Sequence, residues 1–186
     1  MLNVKFAVDK KKLEDEPLKR AIKIDSESFL TETEEFKETV EHKWNEKEST
    51  VSTAFESITG IKLAGEFLVS VLHPSLEMAQ YNDERNIDWG YDELYPNYIV
   101  IGLAHELLHC LTHRFYITLS DDQKWVFHAI IYLSINENLR FVINGEDEYF
   151  SEPVIETYHK RLIRTARSIL PRYKEYMAKT ERGDIY

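Results

Sequence analysis

The chain has 186 residues, 43% of them apolar and 30% charged, with a formal net charge of −10 and one cysteine. That length suits a single domain with its own core, and the composition is not that of a disordered chain. The acidic balance argues against nucleic acid and anionic membranes as partners, and a lone Cys110 excludes an intrachain disulfide and a cysteine-ligated zinc. The opening "MLNVKFAVDKKKLEDEP" has no long apolar run of the signal-peptide kind, and no segment approaches a membrane span. The expectation is a soluble, cytoplasmic protein.

Weak alternation over residues 1–8 predicts a first strand, and residues 17–29 a short helix. Thr31 with Glu34 three residues later fits a capping box. Phe36, Val40, Trp44, Val51, Phe55 and Ile58 then recur at helical spacing, and Gly60 ends that helix. The valine-rich run "EFLVSVLHP", residues 66–74, reads as a buried strand stopped by proline. Residues 77–81 and 86–91 flank "NDER" as the arms of a hairpin. Asn97 is placed as an N-cap, and residues 98–114 are apolar on nearly every side, the mark of a helix buried all round. Ser120 with Gln123 makes a second capping box, opening a helix expected to run to Asn144-Gly145. After the acidic loop "GEDEYF", Ser151 and Pro153 start a last helix reaching about Lys179, bent at Pro171. The sum is a helix-rich α+β fold with a small sheet packed on the helix of residues 98–114 and a C-terminal helical lobe. It is read as one domain over 1–186, with sheet and site helix in 1–119 and a helical part in 120–186.

Within "IVIGLAHELLHCLTHR" stands "HELLH", which places His105, Glu106 and His109 in the order His-Glu-x-x-His. Residues four apart on a helix share a face with Cβ atoms about 6 Å apart. Two imidazoles so placed reach one ion at about 2.1 Å. Glu106, turned about 100° from His105, sits beside such an ion and can take a proton from a water on it. The competing reading is a chance match on a core helix. It would bury a carboxylate and two imidazoles without partners, at several kcal/mol. Gly102, one turn before Glu106, would let a neighbouring strand approach closely.

A catalytic zinc commonly takes three protein ligands. His113 lies about 12 Å of helix rise from His105, too far to share its ion. A third histidine six residues after the second, preceded by glycine, is absent: Thr112 and Phe115 hold those positions. Glu137 is the better candidate, because it shares a helix face with Val126, Ile130, Leu133 and Phe141, and carboxylates are rarely buried unpaired. The alternative is that "NEN" is a polar break where the helix surfaces. Glu146, Glu148, Glu152 and Glu156 are fallback ligands.

"AHELLH" on a buried helix, followed by a helix carrying Asn-Glu, resembles the zincin metallopeptidases and, within them, the gluzincins. The motif covers about residues 98–141; the first hundred residues are similar in element order only. The resemblance implies one zinc per chain, His105 and His109 as ligands, Glu137 as third ligand and Glu106 as general base. It implies hydrolysis of peptide bonds by a metal-activated water. It also implies that a strand within 77–91 forms the edge on which a peptide or protein substrate is lined up by main-chain pairing. A donor for the developing oxyanion is expected from Tyr149, Tyr158 or His159, each also readable as packing or surface. The basic run His159, Lys160, Arg161, Arg164 and Arg167 is a solvated face or a partner for a peptide carboxylate. Two other functions compete: a catalytically silent zincin-fold binding or regulatory protein with structural zinc, and a metal-free helical scaffold. Oligomeric state has no signature in the chain.

Overall fold

The structure, a computed structural model, describes residues 1–13, 26–132, 135–136 and 138–144. The first strand forms as expected: β1 is Leu2–Val8, with the even-numbered apolar positions turned inward. A single helical turn, α1 (Lys10–Leu13), follows. The helix α2 spans Ser26–Thr59, 34 residues, so it begins well before the Thr31 capping box. The N-terminal extension is held by burial. Phe29 stacks on the His73 ring at 4.3 Å, and the Thr33 hydroxyl donates to the Phe29 carbonyl at 2.7 Å. Capping chemistry at Thr31 loses to that packing. At its other end the helix stops as expected: Gly60 adopts φ +72° and its N–H donates to the Glu56 carbonyl.

Three strands complete one sheet: β2 (Gly65–Val71), β3 (Met78–Tyr81) and β4 (Asn86–Gly90). The spatial order is β1-β2-β4-β3. β1, β2 and β4 run parallel, and β3 joins β4 antiparallel at the edge, with Tyr81 opposite Ile87 and Ala79 opposite Trp89. The hairpin expected over 77–91 is therefore present. Phe67, Val69, Val71, Ile87 and Trp89 of the sheet form one core with Phe36, Val40, Trp44 and Phe55 of α2.

Into that core goes α3, Tyr98–Tyr116, in which every residue from Ile99 to Cys110 is buried. Its sequence has no polar stripe, so no face of it could be left to solvent. Asn97 does not cap it. The residue sits at φ 61° and its side chain makes no capping bond; instead its amide donates to Asn144 Oδ1 at 2.6 Å, tying the start of α3 to a later helix. Gly102 sets the distance to the sheet: a Cβ there would stand 2.3 Å from Trp89 Cη2. The close approach expected at Gly102 is made by an indole side chain.

The second capping box is formed reciprocally: the Ser120 N–H donates to Gln123 Oε1 at 3.1 Å and the Gln123 N–H to Ser120 Oγ at 3.4 Å. It opens α4, Asp121–Tyr132, and α5 follows at Asn138–Asn144. Both lie within the helix expected from Ser120 to Asn144, with π-type geometry at residues 135–136 between them. The last helix expected from Ser151, and the short helix over 17–29 up to residue 25, lie outside the described residues. Among the described residues no helix is long and apolar enough to cross a membrane.

Candidate metal and active site

His105, Glu106 and His109 are buried on α3 beneath the β3 edge. His105 Nε2 and His109 Nε2 lie 3.2 Å apart. A third imidazole comes from α4: His128 Nδ1 stands 3.0 Å from His109 Nε2. One ligand nitrogen from each of the three falls within 4.8 Å of the others. The His109 ring stacks on His128 at 4.9 Å and on the Tyr81 ring of β3 at 4.8 Å, which fixes its plane. His105 is oriented from behind, its Nδ1 2.8 Å from Asn136 Oδ1 in the turn between α4 and α5. With a carbonyl oxygen as acceptor, the proton sits on Nδ1 and the Nε2 lone pair faces the other two rings. His109 Nδ1 is buried and has no hydrogen-bond partner among the described residues.

Burial pushes all three rings towards neutrality, and at His105 and His109 the neighbouring imidazoles add to it. His105 falls to about 4 by desolvation and then by His128; His109 falls to about 2 by desolvation and then by His105 and His128. His128 is solvent-facing as a residue, yet its ring is lowered too, by the partial desolvation of the inward nitrogen. Neutral imidazoles with converging lone pairs are the form that binds metal.

The edge strand governs Glu106. The Tyr81 N–H donates to Glu106 Oε2 at 2.9 Å. Asn82 bonds back to Asn86, so the alternating antiparallel pattern turns the main-chain groups of Tyr81 outward, to the free edge. Burial raises the Glu106 carboxyl to about 7, against the small opposing pull of the Tyr81 N–H. A carboxyl near 7 with one fixed donor is suited to taking up and releasing a proton at neutral pH.

In a tetrahedral zinc site with bonds of about 2.1 Å, ligand nitrogens lie about 3.4 Å apart; here the two separations at His109 are 3.0 and 3.2 Å, and the whole set spans up to 4.8 Å. Imidazole donors suit zinc, copper, iron and nickel.

Compared with family models, with curated proteins and with solved structures, the chain finds no match.

Of the residues singled out from sequence, His105, Glu106 and His109 are brought together. His113 stands apart from the three nitrogens, its ring edge-on to Tyr81 at 5.9 Å. Glu137, the fallback ligands Glu146, Glu148, Glu152 and Glu156, and Tyr149, Tyr158 and His159 lie outside the described residues. Cys110 is buried and its thiol is pushed up by desolvation, so it stays protonated. His128, Asn136 and Tyr81 are the contributions that sequence reasoning missed. Asn136 stood in view beside Glu137. His128 had one available signal: it is the histidine on the first helix after the motif, where a third imidazole could be sought.

Proposed function

We propose that the chain is a zinc-dependent metallopeptidase with a zincin-like fold. One observation carries the reading: the Glu106 carboxylate is buried, raised towards 7 and held by the Tyr81 N–H of an edge strand, directly beside converging imidazoles. A structural zinc site has no use for a base in that position, so catalysis is preferred over a silent binding protein. His105 and His109 would hold the ion, with Glu137 the further ligand that the gluzincin resemblance implies. Zinc, when bound, would polarise the scissile carbonyl and acidify a water. Glu106 would serve as the base that accepts a water's proton and returns it to the leaving amine. Tyr81 keeps the carboxylate from rotating away.

The substrate in this reading is an extended peptide lying along β3. The outward N–H of Tyr81 is already committed to Glu106, so pairing falls to the outward groups of Ala79 and the Tyr81 carbonyl. The unpaired thiol of Cys110 suits a reducing compartment such as the cytoplasm. The test is a peptide-hydrolysis screen of the zinc-loaded protein with Glu106→Gln beside it. Glu106→Gln should retain zinc and lose at least about hundredfold in turnover. Undiminished turnover in that variant would remove Glu106 from the chemistry.

A further inference from the structure

We propose that His128 is a zinc ligand, coordinating through Nδ1 and completing a three-imidazole set with His105 and His109. The inference rests on the metallopeptidase reading and names a ligand that the sequence motif does not. Its warrant is geometric. The three nitrogens come from two helices, yet all lie within 4.8 Å of one another, with His109 Nε2 at 3.2 Å from one neighbour and 3.0 Å from the other. Asn136 fixes the His105 proton on Nδ1, so His105 offers a lone pair. A single proton on His109 Nε2 would serve His105 or His128, not both. One cation satisfies all three lone pairs at once. The orientation of His128 points the same way: the residue faces solvent, but Nδ1 is turned inward against two buried rings. A ligand on the solvent side leaves the position beside it open to water and substrate.

The experiment has two readouts, neither of them activity. The first is zinc affinity, by competition with a chromophoric chelator, for wild type, His128→Ala, Glu137→Ala and, as control, the exposed His42→Ala on α2. His128→Ala should weaken zinc by at least about tenfold, a loss of the size that even indirect ligand support carries, and His42→Ala should change nothing. The second is X-ray absorption of the zinc-loaded wild-type protein, where outer-shell scattering counts the imidazole rings; three are expected. Wild-type protein that binds one zinc through two imidazoles, with affinity unchanged in His128→Ala, would overturn the assignment and leave the metallopeptidase reading standing. Failure of wild type to bind zinc would overturn both. The absorption measurement needs no variant, so a misfolded His128→Ala leaves the proposal decided. Loss of affinity in Glu137→Ala as well as in His128→Ala would support it, with a fourth protein ligand.

Discussion

Two sets of buried polar side chains flank the sheet, and they are built on opposite terms. On the face away from α3, Asp88 of β4 is 3% exposed and receives Lys12 Nζ at 2.6 Å on both carboxylate oxygens. Nearby, buried His73 has Ser75 Oγ at 2.7 Å on one ring nitrogen and Glu32 Oε2 at 3.1 Å on the other. Cation meets carboxylate, and both ring nitrogens have partners. Beneath the β3 edge, imidazole nitrogens face one another, the rings are driven to neutrality, and Glu106 has a main-chain donor rather than a cation. The first set is closed within the protein and holds the N-terminal segment to the sheet. In the proposed reading the second is completed by a cation. Burial of polar groups is the same in both; the sign of what they face differs.

The largest effect expected concerns zinc at the second set. Zinc at a hundred times its dissociation constant should stabilise the wild-type protein against unfolding by about 2.7 kcal/mol, whereas His105→Ala and His109→Ala should gain almost nothing. Thermal unfolding with and without zinc reads this directly, and equal shifts in all three proteins would dissolve the contrast between the two sets. Next is Lys12→Ala, which strands a buried carboxylate. Uncompensated buried charges cost about 3–5 kcal/mol, but Lys12 is 40% exposed on its side chain, and screening brings the expectation to about 2 kcal/mol. That loss should be the same with and without zinc. A zinc-dependent loss would mean that the two sets are coupled through β4.

A further effect is pH dependence in the metal-free protein. His105 titrates at about 4 folded and 6.5 as a free side chain, so between those values the unfolded chain binds the extra proton and stability rises with pH. His109 and His128 are lowered too and add to the same slope. Glu106 opposes it: raised from 4.5 to about 7, it holds an extra proton in the folded state, and its contribution falls as pH rises through that window. Three imidazoles outweigh one carboxyl, so stability should climb from pH 4.5 to about 6.5 and then flatten. Urea midpoints across that range would show it. In His128→Ala the climb should be shallower, and a decline from pH 4.5 to 6.5 in wild type would contradict the assigned directions.

Local chemistry made part of this legible in the sequence. The fully apolar run around "HELLH" had to be buried, the Ser120–Gln123 box had to start a helix, and the "NDER" turn had to reverse a hairpin; each depends on neighbours a few residues away. What could not be read depends on distant partners. Thr31 looked like a helix start, but Phe29 found the His73 ring, and burial carried the helix past it. Asn97 looked like a cap, but Asn144 claimed its amide. His128 belongs to no motif, and nothing in its near sequence marks it. Only the packing of α4 on α3 turns its Nδ1 to His109. The Tyr81 N–H is invisible to any motif, because it is main chain and its role follows from strand register.

The measurement closest to the central claim is zinc content per chain, by elemental analysis of untagged protein dialysed against metal-free buffer and then of the same protein after zinc addition and removal of excess. The account predicts a value near one after loading for wild type and for Glu106→Gln, and a value near zero for His105→Ala. A wild-type value near zero, not restored by added zinc, would contradict it and leave the three imidazoles as a feature of the core alone.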